Sequence, residues 1–310
     1  MRSISVVILF AAGCGSAGSG AGSSAASVEA LRAAVPARNW VAIAPVASQP
    51  SSDSSPAPSS CATFGASTFG TLTHRIAGNA DGVLGGVLET VQTITQGPPA
   101  VAVPGHAEWG PIASATSSIY RLHVDQVAPT EFHFVLAGRD ASSDWRGIFQ
   151  GVTTAPDDAH RSGQIAVDFA VMHALDATVD PLAGGVGLEF AVDGAARNVT
   201  ASFAGIVGQA GAQPDDAQYA MVTAADQSSS LGFSTRVDFD GDGTAGELAH
   251  IDSRWSPSGA GVAHLSVTGG SLGGRVVNAV ECWDPALTRV FYTDDATMHA
   301  SVGDSSCCPF

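Results

Sequence analysis

Lysine is absent from the chain: all 13 basic residues are Arg. Chemistry that needs a lysine amine is thereby excluded, including Schiff bases, a pyridoxal phosphate anchor, a phosphate-loop Lys and a Ser–Lys pair. Charge is scarce in general, at 14% of residues, and what there is runs acidic, with a formal net charge of −16. Such a surface repels nucleic acid and anionic headgroups, so no nucleic-acid partner is expected. The short signature HExxH is missing, as is the Cys-x-x-Cys spacing of zinc and redox sites. A Ser/His/Asp triad leaves no spacing signature, because its members assemble in space.

The N-terminus carries a different kind of signal. Met1-Arg2-Ser3 is a minimal positive region, and residues 4–12 are apolar except for Ser5. That run is far short of the roughly 20 residues a membrane-spanning helix needs, and it suits the core of an export signal. It ends at Ala11-Ala12-Gly13-Cys14, small residues directly before a Cys, as in a bacterial lipobox. Cys14 is therefore expected to carry the lipid and become the mature N-terminus. Residues 15–26 are Gly, Ser and Ala only, a flexible composition. Residues 48–60 are rich in Ser and Pro. The expected organisation is a lipoprotein signal over 1–14, a flexible tether over 15–61 with one short local helix at 28–35, and a β-rich domain over 62–310. The expected location is the cell envelope, as an outer-membrane lipoprotein held through Cys14.

Apart from Cys14, four cysteines remain: Cys61, Cys282, Cys307 and Cys308. An even number in an exported chain predicts two disulfides. A bond between the adjacent Cys307 and Cys308 would force a strained ring. The expected pairing gives one of these two to Cys282 and the other to Cys61.

In the domain, residues 79–96 predict an amphipathic helix, with Val83, Leu84, Val87, Leu88, Val91 and Ile94 at helical spacing. Asn79 or Asp81 is the expected cap, and Gly97-Pro98-Pro99 ends it. After Tyr120 the period falls to two. Phe132, Phe134 and Leu136 start the pattern; Ile165, Val167 and Phe169 repeat it, as do Val186, Leu188 and Phe190, then Val199, Ala201 and Phe203. Leu231, Phe233, Thr235, Val237 and Phe239 make its longest case. Each alternation predicts a strand with one face buried, and turn clusters divide them. The fold class is mainly β: one antiparallel curved sheet or open barrel, with an N-terminal amphipathic helix packed on it.

Few residues invite a ligand. Asp238, Asp240 and Asp242, with Gly241 and Gly243, resemble the start of a calcium loop. Position twelve is Ala249 where an EF-hand needs a bidentate Glu, so that motif is excluded. Calcium in a looser turn remains one reading, and a solvated hairpin turn is the other. The histidines are spread along the sequence. His123 and His133 flank a predicted hairpin, His173 precedes Asp176 by three, and His160 follows Asp157-Asp158. No catalytic residue and no resident cofactor are expected.

Several segments resemble an uncharacterised lipoprotein family of myxobacteria. The residues that carry the likeness are Glu108-Trp109-Gly110-Pro111, Tyr120-Arg121-Leu122 running into Phe132 and Phe134, and Glu281-Cys282-Trp283-Asp284. Val290, Tyr292 and the terminal Cys308-Pro309-Phe310 follow. The likeness covers roughly residues 75–310 and implies lineage and lipid anchoring, without a reaction. Read from the residues alone, Trp283 is expected to shield a disulfide and Trp109 to plug the core; a sugar platform is the functional alternative for both. By elimination, the chain is expected to be a non-enzymatic envelope protein that binds or scaffolds. A periplasmic carrier of hydrophobic ligands, with a LolA-like half-barrel layout, and a hydrolase are the alternatives.

Overall fold

The computed structural model describes residues 25–42, 61–114, 117–178, 181–208, 215–239, 241, 243, 246–296 and 299–310. Among the described residues, four α-helices precede or interrupt the sheet: α1 (Val28–Ala34), α2 (Arg38–Val41), α3 (Thr68–Gln96) and α4 (Phe169–Leu175). The strands are β1 (Val101–Val103), β2 (His106–Ala113), β3 (Ile119–Ala128), β4 (Glu131–Arg139), β5 (Arg146–Thr154), β6 (His160–Asp168), β7 (Ala183–Asp193) and β8 (Ala196–Val207). They continue with β9 (Asp215–Thr223), β10 (Ser229–Val237), β11 (Glu247–Trp255), β12 (Gly261–Gly269), β13 (Val277–Trp283), β14 (Arg289–Asp294) and β15 (Val302–Gly303).

All fifteen form one open antiparallel sheet in sequence order, each strand paired to the next. This is the expected fold class, reached by the simplest order: each strand pairs with its neighbour in sequence, and α4 lies between β6 and β7. At the β7–β8 hairpin, Gly194 takes φ +57°, which a residue with a Cβ adopts only with strain. The two edges are blunted by length. β1 has three residues and β15 two, which leaves little ladder for another chain to join.

Alternation decides the faces. Phe132, Phe134 and Leu136 of β4, Val186, Leu188 and Phe190 of β7, and Leu231 of β10 are buried in a single core. Phe134 stacks on Phe149 at 5.1 Å between centroids. Burying each such side chain contributes roughly 1.5–3 kcal/mol.

The sheet is organised on α3. At 29 residues it is about 43 Å long. Phe69, Thr73, Ile76, Ala80, Leu84, Val87, Leu88 and Val91 form its buried stripe. It begins eleven residues before the expected start at 79, because Ser67 is the cap: its Oγ accepts from Gly70 N–H at 2.8 Å. Neither Asn79 nor Asp81 caps it; both lie inside the helix. Gly70 and Gly78 obscured this first half, and tertiary contacts override their poor propensity. Distant strands meet the same helix. Thr73 shares a 2.6 Å hydrogen bond with Ser253 of β11, while Trp109 of β2 donates its Nε1–H to the carbonyl of Gly97 just past the helix end at 3.1 Å.

The expected tether needs correction. Residues 25–42 are docked on the domain, with Leu31, Ala34 and Val41 fully buried. Ser27 caps α1, and Val28, Leu31 and Val35 fall on one helical face. Arg32 fixes it to α3 by donating to the carbonyls of Thr95 at 2.6 Å and Gly97 at 3.2 Å. Trp40 packs on Phe190 and beneath the Arg161 guanidinium. Alanine and serine around this segment masked a short amphipathic pattern. The rest of the expected tether, and Cys14 with it, lies outside the described residues. Among the described residues, no helix is long and apolar enough to cross a membrane.

A second correction concerns Phe169. The expected strand at 165–169 stops one residue short, because Asp168 caps α4 by accepting from Val171 N–H at 3.0 Å.

Both disulfides form in the expected manner, as Cys61–Cys307 and Cys282–Cys308.

Candidate functional site

The Glu281-Cys282-Trp283-Asp284 block turns out to be architectural throughout. Glu281 is fully buried; it accepts from Ser67 Oγ, from Phe69 N–H at 3.0 Å and from Arg289 Nε at 3.0 Å. It thus places a negative charge at the N-terminus of α3, where the helix dipole favours it. Trp283 is fully buried and donates its Nε1–H to the carbonyl of Gly259 at 3.0 Å. It does not cover the disulfide. It belongs to the main core under α3, whereas Cys282 joins Val262 and Val290 in a small separate cluster below the C-terminal tail. Adjacent strand residues point to opposite faces, which is why shielding fails. Asp284 accepts from Ala286 and Thr288 N–H in the next turn. With Trp109, on β2, also 1% exposed, neither tryptophan is available as a sugar platform.

Concavity is found on the opposite face. A groove of about 920 Å³ runs across β8–β13, floored by the residues that alternate with the core. Thr200, Ser202, Ala220, Ser230, Gly232 and Ser234 give it a floor of small side chains. Gln218, His250, Asp252, Arg254 and His264 supply its larger polar groups. The C-terminal tail closes one end, with Ser305, Cys308 and Phe310, held by the Cys282–Cys308 bond. The Phe310 ring is 60% exposed.

The strand register builds a hydrogen-bonded chain in this groove. Ser234 pairs with His250 across β10–β11, and Asp252 pairs with His264 across β11–β12. Ser234 Oγ lies 2.6 Å from His250 Nδ1, and His250 Nε2 lies 3.0 Å from an Asp252 carboxylate oxygen. Gly232 stands opposite Asp252, where a Cβ would come within 3.3 Å of the carboxylate. Sequence reading missed this trio. Its signal was the His-x-Asp step at 250 and 252, which only a known register ties to Ser234. β10 is paired on both sides from Ser229 to Thr235, so its backbone N–H groups are engaged in the ladders. None in that stretch is left to hold an oxyanion above Ser234.

At the interface between α3 and the sheet, Leu84, Leu88, Val91 and Trp109 are each 3% exposed or less.

Of the expected calcium ligands, Asp238 is described and Asp240 and Asp242 are not. Asp238 accepts from Gly241 N–H at 2.8 Å and Gly243 N–H at 2.9 Å, as a turn-forming Asp does. Glu247 is engaged by backbone groups on both sides. It is buried and accepts from Ser271 N–H at 2.9 Å and from Phe239 N–H at 3.2 Å, contacts that hold its carboxyl below the usual range.

The histidines, scattered in sequence, are partly gathered by the sheet. His106 and His123 lie on adjacent strands with ring centroids 6.2 Å apart, and Glu108 sits beside them. His133 is on the next strand, paired with Asp125. His160, by contrast, stays local. Its imidazole meets Asp157, and that carboxylate, with Asp193 adding to it, raises its pKa above the ordinary value.

No protein-family model, curated protein or solved structure matches this chain.

Proposed function

We propose that the chain is a lipid-anchored binding protein of the cell envelope, without catalytic activity, whose groove across β8–β13 takes a polyhydroxylated ligand of the oligosaccharide class. The observation that carries this reading is the groove itself, with its small floor and its planar polar side chains. Gln218, His250, Asp252 and Arg254 offer donors and acceptors for hydroxyl groups. The exposed Phe310 ring supplies an apolar face at one end. The anchor at Cys14 rests on the sequence pattern alone. A hydrophobic carrier is not favoured, because the groove lies on the face away from α3 and presents Gln218, His250, Asp252 and Arg254.

Screening the full chain against an oligosaccharide array, followed by titration calorimetry on any hit, tests the binding reading. A saturable ligand whose affinity falls about tenfold or more in Asp252→Ala and Arg254→Ala is expected. Failure of the whole array to bind would overturn it.

A second reading, hydrolysis, is favoured by the Ser234–His250–Asp252 chain alone. It requires a fluorophosphonate probe to label Ser234, with the label lost in Ser234→Ala. An unlabelled wild-type chain retires it.

A further inference from the structure

The outer face of β2 and β3, far from the groove in strand order, holds a cluster that the sequence does not announce. Alternation turns Ala107 and Trp109 of β2 and Leu122 and Val124 of β3 into the core. The residues between them, His106, Glu108, His123 and Asp125, therefore share the opposite face. The register sets His106 against Asp125 and Glu108 against His123. One ligand atom from each of His106, Glu108 and His123 falls within 4.8 Å of the other two.

We propose that His106, Glu108 and His123 form a binding site for a first-row transition-metal ion of the zinc class. Two imidazoles and one carboxylate are a ligand set that zinc accepts with water completing the coordination. Hard cations such as calcium or magnesium prefer all-oxygen sets, so the two nitrogens select against them. The site is half-buried, with the His106 and His123 side chains 30% and 26% exposed and Glu108 22%. That leaves an approach from solvent for the ion and its water.

A second observation supports the assignment. The Asp125 carboxylate lies 2.6 Å from His106 Nδ1. This contact fixes the proton on Nδ1 and leaves the Nε2 lone pair for a metal, the carboxylate–imidazole arrangement that orients histidine ligands. Bringing the three ligands from their present spacing to coordination distance needs side-chain movement of about an ångström, which half-buried side chains at the surface of the sheet permit. Asp125 is thus a positioning residue and the other three are ligands.

The test uses the full chain, freed of metal by chelation and titrated with Zn²⁺ against a chromophoric chelator. One ion per chain is expected at neutral pH. The double variant His106→Ala/His123→Ala should lose it while keeping the circular dichroism of the parent. Asp125→Asn should weaken binding about 10–100-fold without abolishing it. Substitution by Co²⁺ gives an independent readout, a visible spectrum of low-symmetry coordination that the double variant lacks. His160→Ala is the internal control, since its Asp157 and Asp193 neighbours make it the obvious competitor. Zinc retained at one per chain by the double variant, lost in His160→Ala, or absent from the parent would each overturn the proposal.

Discussion

The Glu281 carboxylate accepts from the Phe69 N–H at 3.0 Å across a sequence separation of 212, so a residue of β13 completes the first turn of α3. The same carboxylate is paired to Arg289, which in turn donates to Thr68 Oγ1 at 2.9 Å. Helix start, strand and charge pair form one unit. A fully buried carboxylate with three partners is costly to disturb, because each partner loses its acceptor at once.

Glu281→Gln keeps the shape and removes the charge. It is expected to destabilise the domain by about 3 kcal/mol, and Ser67→Ala by about 1 kcal/mol. Urea unfolding of the two single variants and the double should show non-additivity, since both act on the same turn.

Gly261 faces the Trp283 ring. A Cβ there would lie 2.4 Å from Trp283 Cζ2 and 2.5 Å from the Arg254 carbonyl oxygen. Gly261→Ala should cost about 1–3 kcal/mol by overpacking. Gly187→Ala, where a Cβ meets nothing within 4 Å, should stay within about 0.5 kcal/mol of the parent. Thermal midpoints of the two variants check this directly.

Docking of residues 25–42 is tested at Leu31. If this segment were a free tether, Leu31→Ala would leave stability unchanged. Since Leu31 is fully buried, the expected loss is about 2–5 kcal/mol, read from chemical denaturation, with faster proteolytic release of the N-terminal segment.

His74, on α3 beside Trp255, has its pKa lowered from 6.5 by burial. Its Nε2 is buried without a hydrogen-bond partner. The folded state therefore binds the proton less well than the unfolded chain. As pH falls below about 6.5, the unfolded state gains protons first and stability drops; above that value this residue contributes nothing. Comparing unfolding midpoints at pH 7.5 and 5.5 should show a larger acid loss in the parent than in His74→Gln.

Much of this architecture can be read in the sequence, and for physical reasons. Period-two alternation in β4, β7, β8 and β10 depends only on one face being buried, so Phe134, Leu188 and Leu231 identify their strands without knowledge of the neighbours. The strain of joining adjacent residues excluded the Cys307–Cys308 bond and left open which of the two meets Cys61, a choice that only the fold makes. Where the sequence fell short, the deciding partner was remote. α3 begins at Ser67 because Glu281 and Trp283 receive it there. The groove and the His106, Glu108 and His123 cluster exist only after register places their strands side by side. Single histidines in the sequence carried no hint of this, because the strand spacing that unites them is set by turns elsewhere.

The Cys61–Cys307 bond has a mechanical corollary. It joins the entry to α3 with the last turn of the chain, closing a covalent loop between residues 246 positions apart. Tension applied between an N-terminal attachment point and residue 310 would first peel away the docked segment 25–42 and then act on a sulfur–sulfur link. The fifteen strands hang beside that line of force rather than in it, so a chain stretched end to end would stop lengthening while its ladders remain zipped.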